Sequence, residues 1–194
     1  VMTLETPEGD VNRWTGAARS PGMSTGQLIK GRNKKSIIFN LKVPEARAPF
    51  EKLIETADVF VHNIRPKAAA RLRIDYDTIS KLRPDIIYAS ATGFGEDGPY
   101  ADKPAYDDLI QAASGIASLY GRVTGSPKYA PSVMADKTTG LFLSNYIVMA
   151  LFHRERTGEG QKLHVPMYES FASFIVNEHL QGQTFVQPTG PSGY

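Results

Sequence analysis

The feature that most constrains this chain is an alternation, beginning at Ser36, of short β-branched runs with longer stretches of helical periodicity. Ser36 to Leu41 reads as a strand. Pro44 opens a helix as a first-turn residue, and that helix runs to about Thr56 with Phe50, Leu53, Ile54 and Ala57 recurring on one face. Further strands are expected at Asp58 to Val61 and Asp85 to Ala91. Between them lie a loop at Asn63 to Pro66 and helical sequence through Ala68-Ala69-Ala70 and from Asp77 to Leu82. Strands that alternate with helices are parallel, joined by right-handed crossovers and covered on both faces. The expected fold class is therefore α/β, a doubly wound and mainly parallel sheet. Helices are also expected at Asp107 to Tyr120, Lys137 to Glu155 and Met167 to Leu180, with a strand near Lys162 to Val165; no internal repeat is visible. Ligands of such sheets gather beyond the carboxyl ends of the strands, which marks Asn63 and the Thr92-Gly93-Phe94 turn.

With 194 residues, 41% hydrophobic and 22% charged, the chain can bury a core as one domain or a large piece of one. Twenty-two basic against twenty acidic residues leave a charge of +2, which argues for neither a nucleic-acid nor a membrane partner. Any anion recognition must be local. The absence of cysteine excludes disulfides and thiolate metal sites and fits the reducing cytoplasm, the expected compartment. The longest apolar run, Leu141 to Phe152, is broken by Ser144 and Asn145 and ends at His153 and Arg154, so it reads as a buried helix and not a bilayer span. Val1 to Glu5 lacks the pattern of a secretory signal and reads as a chain entered part-way, while Gln187 to Tyr194, rich in Pro, Gly, Ser and Thr, reads as a linker or exposed tail.

Three motifs carry chemistry. Gly93-Phe94-Gly95-Glu96-Asp97-Gly98 satisfies G-x-G-x-x-G after a strand, but Pro99 and Pro104 bracket a polar loop where a dinucleotide site needs a helix amino terminus. Those glycines are expected to serve a sharp turn or a close backbone approach to a ligand. Basic residues cluster near the first strand (Arg32, Lys34, Lys35, Lys42) and after the second (Arg65, Lys67, Arg71, Arg73). Solvated surface is the default explanation. Two clusters on successive strand-to-helix connections would nevertheless share one sheet edge and could hold several phosphates. Third, Ala135-Asp136-Lys137-Thr138-Thr139-Gly140 precedes the apolar helix. Asp136 there could simply cap the helix, but a carboxylate at a helix amino terminus is also the group that attack on a thioester carbonyl requires.

Four segments together resemble the family III CoA-transferases, a group that includes formyl-CoA transferase, the carnitine CoA-transferases and a divergent branch of α-methylacyl-CoA racemases. They are Leu4 to Asp10, Asn33-Lys34-Lys35-Ser36 through Leu41-Lys42, Ala57 to Pro66, and Phe152 to Gln161, the last being the most specific. Tyr88-Ala89-Ser90 leading to Gly93-Phe94-Gly95, and Pro104-Ala105-Tyr106-Asp107 leading to Ser114-Gly115, match in order and spacing too.

The resemblance implies a Rossmann-like large domain whose amino-terminal part is residues 1–182, with 183–194 starting a linker to a small domain; roughly half of the family's usual chain, including a glycine-rich loop, would lie outside this one. It implies that Asp136 attacks an acyl-CoA to give a mixed anhydride and then an aspartyl-CoA thioester. The acceptor is a free carboxylic acid, and no metal or redox cofactor is needed because the CoA thioester is itself the substrate. It implies CoA contacts from Phe39, Asn40, Leu41 and Lys42, from Asn63, Ile64 and Arg65, from Arg71, and from Ala91, Thr92, Gly93 and Phe94. An interlocked homodimer is implied as well. Thr6 and Thr92 stand where some relatives have arginine and lysine, and Lys67 and Arg73 replace common glycines. The racemase branch needs a general base where this chain has Tyr106, and a tyrosine, with an ordinary pKa near 10, is a poor one. Racemisation and a non-catalytic CoA-binding subunit remain the alternatives.

Overall fold

The computed structural model describes residues 1–193. The chain divides into two compact units, Val1–Thr56 and the residues from Ala57 onward.

In the first unit β1 (Met2–Glu5) pairs parallel with β2 (Lys35–Ile38), Leu4 facing Ile37. A 3-10 turn at Val11–Arg13 and α1 (Thr25–Lys30) lie between them, each started by a side-chain cap, Asp10 accepting from Asn12 N–H and Ser24 from Gln27 N–H. Glu5, only 5% exposed, joins the pieces. Its carboxylate accepts from Arg13 at 2.5 and 2.7 Å, from the Ser36 hydroxyl at 2.6 Å and from Asp10 N–H at 2.9 Å. The Arg13 hydrogen bonds hold it down to about 2, against an opposing push from burial. After a 3-10 turn opened by Pro44 comes α2 (Arg47–Glu55), which buries the expected Phe50 and Ile54.

The second unit contains β3 (Val59–His62), β4 (Ile87–Thr92) and β5 (Gln161–Pro166), parallel throughout and in the order β3-β4-β5. The central strand is buried along nearly its whole length, with Ile87, Tyr88, Ala89 and Ser90 at 4% exposure or less, as a sheet covered on both faces requires. Helices α3 (Pro66–Arg71) and α4 (Tyr76–Leu82) connect β3 to β4. Helices α5 (Asp107–Ala113), α6 (Ile116–Thr124) and α7 (Met134–Thr157) connect β4 to β5, and α8 (Met167–Leu180) follows. Phe94, Ile110, Ile116, Ala135, Phe171 and Ile175 form one buried cluster, drawn from the loop after β4 and from α5 to α8.

The α/β class with parallel strands is as expected, with four corrections of detail. The strand at residues 35–38 pairs with β1 in a two-stranded sheet of the first unit, where a single run of strands was expected. The helix expected over Asp107 to Tyr120 breaks at Ser114 and Gly115, where Gly115 takes φ +91°, a conformation an L-residue resists. The apolar run of α7 is only partly buried: Ala150 is covered, but Leu141, Val148, Met149 and Phe152 are each more than 60% exposed, because apolar residues surround the helix and only part of its circumference is covered here. Finally, α7 begins at Met134 after a cap position at Val133, so Asp136 is its third residue and not its cap.

The Phe152–Gln161 segment proves structural. Arg154 donates to the carbonyls of Asp58 and Asp85 at 3.2 and 3.3 Å and to the Asp58 carboxylate at 3.0 Å, tying α7 to the amino-terminal ends of β3 and β4. Arg83 adds a 2.6 Å pair with Asp85. Gly158 closes α7 in the left-handed conformation, φ +78°. A Cβ on Gly160 would lie 2.6 Å from both the Asp85 carbonyl carbon and the Ile86 oxygen, so backbone passes backbone there with no room for a side chain. At the chain's end, Thr189 N–H donates to Gly182 O and Gly193 N–H to His179 O, both at 3.0 Å, folding an exposed segment back on α8.

Candidate active site

Three groups of residues meet the carboxyl-terminal side of β3-β4-β5. The first is the β3 end. His62 Nδ1 accepts from Ile64 N–H at 3.0 Å, and its Nε2 lies 2.6 Å from Tyr88 Oη, which itself donates to Ile74 O at 3.1 Å. With Nδ1 accepting and the phenol proton spent, Nε2 carries the hydrogen: the imidazole is neutral and in one tautomer. Burial lowers its pKa and pushes Tyr88 up to about 12. His62 therefore fixes the backbone of the Asn63-Ile64-Arg65 loop, in which Asn63 and Arg65 are exposed.

The second group is the β4 end. The Thr92 hydroxyl donates to Phe94 O at 2.8 Å and so accepts from His164 Nε2 at 2.7 Å. Gly93 O accepts from Tyr168 N–H at 3.0 Å, and Gly95 N–H donates to Glu169 at 2.8 Å, so α8 holds this loop from behind. A Cβ on Gly93 would collide with the Ala105 Cβ, and one on Gly95 would lie 2.7 Å from Glu169 Oε1. The glycines admit protein rather than ligand, and the loop runs without a helix to Asp107, which removes the dinucleotide reading.

The third group is the start of α7. Asp136 is exposed, while its neighbour Ala135 is fully buried in the cluster that contains Phe94. Eighteen residues of helix separate Asp136 from Arg154, about 27 Å at 1.5 Å per residue. Arg154 grips the amino-terminal ends of the strands and Ala135 packs in the cluster with Phe94, just after β4, so the start of α7 lies on the carboxyl-terminal side of the sheet. Its backbone N–H donates to Asp107 Oδ1 at 2.9 Å.

A cavity of about 290 Å³ opens beside β3 and β4, with His62, Ile64, Asp75, Tyr88, Ser90, Thr92, Glu96 and Lys162 in its wall. Of the expected CoA contacts, Ile64 and Thr92 line it; Asp136 does not. Arg71 is exposed at the end of α3, and Phe94 gives its ring to the core. Phe39, Asn40, Leu41 and Lys42 belong to the first unit, where Phe39 packs edge-on against Phe50 and Asn40 accepts from Lys42 N–H at 3.2 Å. Among the described residues, no group of three or more His, Asp or Glu is placed to hold a metal ion, and no helix is long and apolar enough to cross a membrane.

The sequence alone did not single out Asp107 and Gln111, which anchor the start of α7, or His62 and His164, which hold the strand-end loops. The signal for the first pair was their four-residue spacing, which puts two polar side chains on one face of a helix whose next position, Ile110, is fully buried.

The sequence profile of CoA-transferase family III matches residues 1–193. A succinate–glutarate CoA-transferase from Agrobacterium fabrum is 35% identical over 187 residues, 93% of this chain and 47% of that protein. The succinyl-CoA–L-malate CoA-transferase beta subunit of Chloroflexus aurantiacus is 37% identical over 172 residues, 88% and 42% of the two chains. The crystal structure of a CaiB/BaiF family protein from Brucella suis superposes with a TM-score of 0.88 at 30% identity, covering 99% of this chain and 52% of that one. The chain thus spans about half the length of the relatives it matches. With the profile spanning nearly every residue and the fold agreeing, the chain belongs to CoA-transferase family III.

Proposed function

We propose that the intact protein is an acyl-CoA:carboxylate CoA-transferase with Asp136 as its nucleophile. The observation that carries this reading is an exposed carboxylate in the first turn of α7, on a backbone pinned by a buried side chain and on the carboxyl-terminal side of the sheet, where α/β folds bind ligands. The Asp136 carboxylate attacks the thioester carbonyl, forming an acyl anhydride and releasing CoA thiolate. The thiolate then attacks the Asp136 carbonyl, releasing the first carboxylate and leaving an aspartyl-CoA thioester. The incoming carboxylate attacks that thioester to form a second anhydride. CoA thiolate takes its acyl group and restores Asp136. The chain's work is positioning, water exclusion and support of the tetrahedral oxyanions by fixed N–H groups.

The CoA contacts proposed with this reading are Asn63, Ile64, Arg65 and Arg71, the main chain of Ala91 to Phe94, and, from the first unit, Phe39 to Lys42. Exposure of Asn63, Arg65 and Arg71 supports contacts from their side chains. The Thr92 hydroxyl is already committed within the protein, so its contact is assigned to the backbone. A homodimer is proposed as well, supported by the exposed apolar residues of α7, which leave that helix with a surface suited to burial.

Asp136→Asn in the intact protein is the test. CoA exchange between an acyl-CoA and a free carboxylate should fall by at least about 10³-fold, the scale of losing a covalent nucleophile, with CoA still bound. Full turnover by that variant would end the proposal. Solvent deuterium entering the carbon next to the thioester, without CoA exchange in the wild type, would instead establish racemisation.

A further inference from the structure

Asp107 is the first residue of α5 and is 7% exposed. Its carboxylate joins two helices: Oδ1 accepts from the Asp136 backbone N–H at 2.9 Å, and Oδ2 accepts from Gln111 Nε2 at 2.5 Å. Gln111, one turn further along α5 and fully buried, spends the rest of its amide on the segment that leads into α7. Its Oε1 accepts from Ala130 N–H at 2.8 Å, and its Nε2 also donates to Ser132 O at 3.0 Å. Helix α7 has no side-chain cap of its own, since Val133 occupies the cap position. The oxygen that satisfies its third N–H comes from 29 residues upstream.

We infer that Asp107 and Gln111 are positioning residues for the nucleophile, setting the height and angle at which the first turn of α7 presents Asp136. The inference rests on the transferase reading above and adds the groups that hold the nucleophile still. An uncapped first turn frays, and a nucleophile displaced by an ångström loses about 10² in rate. The arrangement has a fixed polarity. Asp107 is met by two donors, the Asp136 N–H and the Gln111 amide. An asparagine in its place therefore sets N–H against N–H whichever way it turns, at Asp136 in one orientation and at Gln111 in the other. Gln111 cannot rotate to relieve this without abandoning Ala130 N–H and Ser132 O.

The test uses the intact protein and three measurements on Asp107→Asn and Gln111→Met: the rate of Asp136 acylation in a single turnover with an acyl-CoA, the affinity for CoA, and the thermal transition. The expected result is acylation slowed by about 10²-fold in Asp107→Asn, and slowed also in Gln111→Met, with CoA affinity within about threefold of wild type. Acylation at the wild-type rate in Asp107→Asn overturns the inference while leaving the transferase reading intact. Loss of CoA affinity in proportion to the rate overturns it too, because a general collapse and not positioning would then be the cause. A wild-type protein never acylated at Asp136 overturns both. Should neither variant fold, hydrogen exchange on the wild type decides: the Asp136 amide must be protected although its side chain is exposed, and exchange at the rate of a free amide rejects the anchor.

Discussion

At the amino-terminal ends of β3 and β4, one arginine, Arg154, takes two carbonyls and a carboxylate, and Gly160 lets one backbone pass against another with no side chain between. At the carboxyl-terminal ends the polar groups do something else. His62, Thr92, His164 and Glu169 hold loops in place from behind while Asn63, Arg65 and Asp136 stay exposed. Helix α7 spans the two, ending in the clamp and beginning at the proposed nucleophile. The contrast teaches that motif specificity and chemistry separate in space. The Phe152–Gln161 segment, one of those that carry the resemblance, fastens the sheet, and the residue proposed to react sits about 27 Å from Arg154 along the helix.

Variants at the two ends should therefore fail differently. The largest stability loss is expected from Gly160→Ala, whose Cβ would press on the backbone of Asp85 and Ile86. About 3 kcal/mol of unfolding free energy should be lost in denaturant titration, while the folded fraction keeps its acylation rate. Arg154→Met should cost about 2 kcal/mol by the same measurement, again sparing the chemistry, because hydrogen bonds to charged groups are lost at a partly covered site. Either variant losing acylation while retaining stability would break the division.

A smaller, pH-dependent effect belongs to the other end. Burial lowers the His62 pKa below its ordinary 6.5, so folding favours the neutral imidazole. Its contribution is complete above that value and is lost as pH falls through the lower folded value, because a proton on Nδ1 faces the Ile64 N–H. Protection of the Ile64 amide should decline in hydrogen exchange as the pH is taken down through the acid range, and His62→Phe should remove that pH dependence. The smallest effect is expected for Lys67→Ala. Lys67 and Asp102 are 79% and 70% exposed, so melting should shift by no more than about 0.5 kcal/mol equivalent despite their 2.5 Å contact.

Most of the second unit was legible because its signals are local. β-branched runs place β3, β4 and β5 within two residues, and α8 falls on the expected bounds. Strand β1 was not legible: four residues with three side chains partly or fully exposed carry no strong alternation, and pairing with β2 is a long-range fact. The break at Gly115 needed a positive φ that composition only hints at. Asp136 stands out in the sequence by its place before an apolar helix, but the capping role expected of it is filled by Asp107, distant in sequence, which supplies the oxygen. Gln111 was invisible for the same reason. An amide satisfied by Ala130, Ser132 and Asp107 looks like any other glutamine until the chain folds.

The most direct measurement is mass analysis of the peptide bearing Asp136 after the intact protein meets an acyl-CoA and is quenched with hydroxylamine. The account predicts a hydroxamate on Asp136, formed only when acyl-CoA is present and absent in Asp136→Asn. Sustained CoA transfer with that side chain unmodified, or a hydroxamate on a different carboxylate, would contradict it.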